Sequence, residues 1–278
     1  MSMIRHALLA LTVSAVLAFA GACGDDEPSG PATPAAATPA AATPAGTVRP
    51  EATAPSGTPV PPSGTGADVP ANFFQNGSFE SGRDPWFSLT TEAWGTAFSV
   101  SSDQAHSGSQ SAYLELRASS DEPGTRVFGV VQELTPPQEF PEVISGYYRV
   151  QDWSRGAPKQ YLQFVIIAFG VDNLPGGHVN HQIRYVLAGV PQQPLEIGNA
   201  KYILLTKEDP PTDQWVHFEV PVRQDFVEQW GDVPQGFERL RLLFEVRYDE
   251  KTTGSEANAD VYYDDLFMGP SAGNPNQP

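Results

Sequence analysis

Between residues 71 and 270 the apolar residues fall into short runs rich in Val, Ile, Phe, Tyr and Leu, separated by clusters of Gly, Pro, Asn and Asp. The runs are 73–75, 94–101, 111–117, 127–134, 143–151, 161–170, 182–188, 201–206, 215–220, 239–248 and 261–268. Several alternate with a period of two, as in Ala112-Tyr113-Leu114-Glu115-Leu116. That period sends successive side chains to opposite faces of a strand. Short alternating strands at this spacing, with turn residues between them, predict an all-β fold, an antiparallel β-sandwich of jelly-roll type. The stretch 224–230 has no strand-like alternation and ends at Gly231, which predicts one helix. No period of twenty to fifty residues recurs, which argues against solenoids and propellers.

The pattern changes at both ends. Arg5 and His6 precede an apolar run from Ala7 to Ala20, then the small residues Gly21 and Ala22, then Cys23. A run of this length with these flanks reads as a secretory signal, 1–22, and is too short for a stable span. The cysteine after the small residues resembles the lipobox of bacterial lipoproteins, with Ala20 where Leu is usual. The resemblance implies diacylglycerol on the Cys23 thiol, cleavage before it, and export to the outer side of a cell membrane or outer membrane. Cys23 is the sole cysteine, so the folded part has no disulfide and must rest on a hydrophobic core. Residues 23–70 carry the lipidated cysteine and then almost only Pro, Ala, Thr, Ser and Gly. Such a segment cannot bury enough apolar surface to order itself, so it is expected to be a disordered tether reaching on the order of 130 Å at most. The sandwich should occupy 71–270, and the polar tail 271–278 should fray.

The formal charge is −17, and becomes −18 once a signal carrying Arg5 is removed. That balance argues against nucleic acid and anionic head groups as partners, leaving the lipid as the link to the membrane. It suits uncharged ligands and cations such as Ca²⁺.

Three stretches carry a wider resemblance. They are Asn76-Gly77-Ser78-Phe79-Glu80-Ser81-Gly82 with Pro85-Trp86, then 106–114 from His106-Ser107-Gly108, and finally Val261-Tyr262-Tyr263-Asp264-Asp265-Leu266. In this order they look like the galactose-binding-like jelly rolls that include many carbohydrate-binding modules. The resemblance implies neighbouring first and last strands and a structural Ca²⁺ held by Glu80 and Asp264, with Asp265 as the substitute if the register is shifted by one. Carbonyls near Ser78 and Ser107 would complete its shell. Independently, a carboxylate pair suits a cation that takes six to eight hard oxygens. The same resemblance implies a glycan ligand, while the fold also serves protein-binding and structural modules.

Sugar rings stack on aromatic side chains, so Trp86, Trp94, Tyr148, Trp153, Tyr185, Trp230 and Tyr248 are candidate platforms. Trp153 sits in the polar stretch 151–156 and is expected to be exposed, whereas Trp215 opens an alternating run and is assigned to the core. Tyr147 and Tyr148 must point to opposite faces, so one of them is available outside the core. The Gly/Pro-rich stretch 171–201 reads as a loop insertion, and contains His178 and His181 without an acidic or cysteine partner to make a zinc site.

The sequence has no Gly-x-Ser-x-Gly elbow, no His-Glu-x-x-His and no phosphate-cradling Gly loop. His217 with Arg223, or His181 with Arg184, could formally serve a polysaccharide lyase, and paired carboxylates a glycosidase. The expectation is a non-catalytic glycan-binding module, with a structural or protein-binding envelope lipoprotein as the alternative and a polysaccharide-degrading enzyme third.

Overall fold

The computed structural model of the protein describes residues 72–88, 98–135, 139–171 and 180–277. Its strands are β1 (Phe87–Ser88), β2 (Ser99–Ser101), β3 (Ser111–Ala118), β4 (Gly124–Leu134), β5 (Val143–Ser154), β6 (Lys159–Phe169), β7 (Asn180–Ala188), β8 (Ala200–Leu204), β9 (Trp215–Val220), β10 (Arg239–Lys251) and β11 (Ala257–Gly269). One sheet has six strands in the order β1-β4-β10-β6-β7-β8, the other five in the order β2-β3-β11-β5-β9. The chain crosses repeatedly between the two layers, which makes the expected sandwich. One pair departs from the antiparallel rule: β7 and β8 run parallel, joined by a crossover through 189–199.

The core lies between the sheets, where the inward members of each alternation meet. Leu162, Phe164, Ile166 and Ala168 of β6 face it, as do Leu240, Leu242, Phe244, Val246 and Tyr248 of β10. Phe244 is the hub, with the rings of Phe74, Trp86, Phe164, Phe218 and Tyr263 centred 5.5–6.3 Å away. Interlocked rings of this size exclude water and dominate the burial term. Helix α1 (Val222–Trp230) begins two residues earlier than its pattern suggests and buries Val222, Phe226 and Trp230, four residues apart. It ends at Gly231, whose left-handed φ of 92° suits glycine and lets its N–H cap Val227 O.

The expected strand at 73–75 is instead a bent segment, pinned by a Phe73 N–H to Met268 O bond and by Asn72, whose side chain bonds Leu266 O and Met268 N. The frayed tail is also corrected: Ser271–Gly273 form a 3₁₀ turn, and Asn274 and Asn276 are buried. Ser145 Oγ donates to Asn274 Oδ1 at 2.7 Å, and Asn276 Nδ2 donates to Asp265 O at 2.7 Å. These amides satisfy groups that would otherwise be buried unpaired, so the tail is held in place. Cys23, the expected signal 1–22, the expected tether to residue 70 and Trp94 lie outside the described residues.

Candidate functional site

The outward face of the six-stranded sheet is unusual for a surface. On β6 the residues alternating with the core are Tyr161, Gln163, Val165 and Ile167, and on β10 they are Leu243, Glu245, Arg247 and Asp249. Antiparallel register sets Gln163 opposite Glu245 and Tyr161 opposite Arg247. Gln163 is 0 % exposed, Glu245 3 %, Arg247 5 % and Asp249 1 %. Charged side chains are rarely buried unless paired, and here they form one network. Gln163 Nε2 donates to Glu245 Oε2 at 2.6 Å, Arg247 Nη2 to Asp249 Oδ1 at 2.6 Å, and the Tyr161 hydroxyl to Asp249 Oδ2 at 2.7 Å. Arg247 Nη1 lies 3.6 Å from Glu245 Oε2. Burial holds the Tyr161 hydroxyl well above its ordinary pKa, so it is a neutral donor. Apolar clusters flank this network, Val131, Val165, Ile167 and Leu243 in one and Val186 and Val190 in the other.

The network leaves valences over. Gln163 Oε1, Arg247 Nε and, on β8, Tyr202 Oη are buried without a hydrogen-bond partner. A buried unpaired polar atom costs about 1–3 kcal/mol, so three on one face call for a physical reason. Tyr202 also lines a cavity of about 580 Å³, together with Gln193, Glu196, Lys201 and Gln229 at the β8 edge. The face therefore combines aromatic rings, planar amide and guanidinium groups, and carboxylates with lone pairs to spare.

The residues expected to hold Ca²⁺ sit elsewhere, around the loop 106–110. Glu80 Oε1 accepts from the Ser109 and Gln110 N–H groups, both at 2.8 Å, and Oε2 from Ser109 Oγ at 2.8 Å. These bonds, that from the Ser109 N–H first, hold the Glu80 carboxyl below its usual range. Gly108 has φ +65° and no room for a side chain, because a Cβ there would sit 2.5 Å from Glu80 Oε1. Asp264 is 0 % exposed; its Oδ2 accepts from the His106 N–H at 2.7 Å and the Ser107 N–H at 3.2 Å. Burial, and then the neighbouring Asp265 charge, push Asp264 up to about 6 against the pull of these N–H groups. Asp265 takes His106 Nδ1 and Ser107 Oγ, each at 2.7 Å. The two carboxylates thus grip opposite ends of one loop. The set is all-oxygen, and Asp264 is balanced by dipoles. Among the described residues no group of three or more His, Cys, Asp or Glu side chains is placed to hold a metal.

Most of the expected platforms are core. Trp86, Tyr148 and Tyr185 are buried between the sheets, where no sugar reaches them. Trp86 donates to Asn76 O at 2.9 Å, and Tyr185 stacks on Phe164 at 4.7 Å and donates to Asp225 at 2.8 Å. Tyr248 and Trp230 are likewise buried, Trp230 edge-on to His181 at 4.4 Å. Trp153 belongs to the end of β5 rather than to a loop; it is half-buried against the core, with Arg155 5.9 Å from its ring. Trp215, assigned to the core, is half-buried on the opposite, outward face, edge-on to His106 at 5.7 Å. The sequence reading did not single out Gln163, Glu245, Arg247, Asp249, Tyr161 or Tyr202 as site residues. Its available signal was the polar Gln163 within the apolar run of β6 and the charges recurring every second residue on β10.

No protein family and no curated protein matches the chain. Solved structures are similar to it at low identity. A family 61 carbohydrate-binding module in complex with β-1,4-galactotriose shares 13% identity, TM-score 0.38, over 71% of this chain and 97% of that one. The C-terminal family 22 carbohydrate-binding module of Clostridium thermocellum Xyn10B shares 14%, TM-score 0.38, over 73% and 96%. The enzymatically active domain of bacteriophage CBA120 tailspike protein 4 shares 15%, TM-score 0.37, over 71% of this chain but 21% of that one. At these identities the likeness concerns the fold alone.

Proposed function

We propose that the domain is a non-catalytic glycan-binding module that holds an uncharged sugar chain on the outward face of its six-stranded sheet, and that Cys23 anchors it by lipid outside the cell. The observation that carries the binding reading is the trio of unpaired buried atoms, Gln163 Oε1, Arg247 Nε and Tyr202 Oη, beside the Gln163–Glu245–Arg247–Asp249 network. A sugar hydroxyl both donates and accepts, so once the side chains covering Gln163 and Arg247 move aside it can answer an amide oxygen, a guanidinium N–H and the Tyr202 phenol together. Glu245 and Asp249 are matched on this face by Arg247 and by Arg184, whose guanidinium lies 5.8 Å from the Tyr202 ring, and this balance suits an uncharged sugar. Polar groups fixed in advance by their own bonds lose little freedom on binding.

Tyr202→Phe tests this reading cleanly. The hydroxyl has no partner in the free protein, so its removal should leave the melting temperature unchanged or slightly raised. Affinity for a neutral polysaccharide, read by retardation in polysaccharide-containing native gels, should fall about 3- to 10-fold, the equivalent of one hydrogen bond. Equal binding by the variant and the wild type contradicts the placement.

The loop clasp is where we place a Ca²⁺ ion, with Glu80 and Asp264 as side-chain ligands, Asp265 beside them and carbonyls near Ser78 and Ser107. The all-oxygen set and the buried Asp264 charge beside Asp265, answered by N–H dipoles, support it. A hundredfold excess of Ca²⁺ over its Kd should stabilise the protein by about 2.7 kcal/mol. Glu80→Ala and Asp264→Ala should each abolish most of that response. A wild-type melting temperature that ignores both chelator and added Ca²⁺ contradicts the assignment.

A further inference from the structure

The outward face of the five-stranded sheet carries its own row of rings. Register pairs Tyr113 of β3 with Tyr262 of β11, Tyr262 with Arg149 of β5, and Arg149 with Trp215 of β9. Four neighbouring strands thus present one line of side chains, about 14 Å from end to end at the usual strand spacing. Tyr113 and Tyr262 are stacked at 4.9 Å. Near the other end His106 lies flat on Tyr147 at 3.5 Å, and its edge meets Trp215. His106 and Tyr147 also wall a cavity of 510 Å³ whose polar lining includes Asn72, Asn76 and Asn276.

Both guanidinium groups on this face already have carboxylate neighbours. Arg117 bonds Asp260 at 2.7 Å, Arg149 donates to Asp213 O at 2.7 Å with the Asp213 carboxylate 3.7 Å away, and His106 faces Asp265 at 2.7 Å. No guanidinium here is left over for an acidic ligand. Two ring or guanidinium nitrogens, Arg149 Nε and His217 Nε2, are nonetheless buried without a partner. Half-buried Tyr113 and Trp215 rings at the two ends, with Tyr262 buried at 5 % exposure between them, matched guanidinium groups and spare nitrogen valences together describe a surface for an uncharged, hydroxyl-rich ring polymer. The line of rings runs across the strands for a length comparable to a short run of pyranose units.

We infer that the row Tyr113–Tyr262–Arg149–Trp215 is a second glycan surface, on the side of the sandwich opposite the first, so that one domain can hold two sugar chains at once. The inference rests on the reading of the domain as a glycan-binding module but not on the residues of the first face. A module gripping two chains would tether polymers to one another as well as to the anchored protein.

The test uses the full chain in native gels containing soluble neutral β-glucan, xylan or galactan. Trp215→Ala and, at the far end of the row, Tyr113→Ala should each weaken retardation about fivefold or more, in line with aromatic anchors at other interfaces. Trp215→Phe, which keeps a ring face, should recover most of it. Tyr202→Phe with Trp215→Ala should lose more than either alone. If both row variants bind as the wild type does while Tyr202→Phe is weakened, the second surface is overturned and the glycan reading stands. If the wild type is retarded by none of the three polymers, both fall. A row variant that binds nothing, with Tyr202→Phe unaffected, keeps this surface and removes the first.

Discussion

Trp86→Ala is expected to destabilise the domain by about 3–5 kcal/mol, the range for deleting a large buried aromatic. The indole is 2 % exposed, with Phe74 and Phe79 each centred 5.2 Å away and Phe244 at 6.1 Å. Truncation would open a cavity beside the core's hub and leave Asn76 O without the indole donor. Because a domain's whole stability is about 5–15 kcal/mol, the variant should show a large drop in urea midpoint. Its folded fraction should still bind glycan, since Trp86 is on neither outward face. A cost below about 1 kcal/mol together with lost binding would make Trp86 a platform after all.

Cys23→Ser is expected to move the protein from the membrane fraction to the soluble or unprocessed one. Cys23 carries the only thiol in the chain, and each buried lipid CH₂ would contribute roughly 0.8 kcal/mol, so two or more long chains on it would anchor durably where one would not. Fractionation of cells expressing the variant decides it. Wild-type partitioning of Cys23→Ser into membranes contradicts the anchor. The same variant should keep full glycan affinity, because Cys23 is in neither set of proposed contact residues.

Much of the sandwich was legible from alternation. The run 215–220 is β9 itself, and 111–117 and 143–151 match β3 and β5 to within three residues at each end. The same parity held answers that went unread. In Trp215-Val216-His217-Phe218-Glu219-Val220 the period of two groups Val216, Phe218 and Val220, so Trp215 had to share the other face with His217. Ile144 and Val150 likewise place Tyr148 inside and Tyr147 outside. Trp153 was not legible in this way. Asp152 takes a φ of 49° where the β5–β11 register slips, and that irregularity sets Trp153 against the core. The polar network was hidden for a different reason. Gln163 and Glu245 are far apart in the chain and become neighbours only when β6 pairs with β10, so no local pattern could reveal their bond.

The side-chain amide of Gln163 offers the most direct measurement of the central claim. Its oxygen is unpaired in the free protein while its nitrogen donates to Glu245, so a sugar hydroxyl donating to that oxygen must shift the amide proton resonances. Nitrogen-labelled protein titrated with a neutral oligosaccharide should show saturable shifts of the Gln163 side-chain amide, abolished in Gln163→Leu along with most of the affinity. Saturable binding that leaves the Gln163 amide unmoved, and is unchanged in Gln163→Leu, would contradict the assignment of this face as the glycan site.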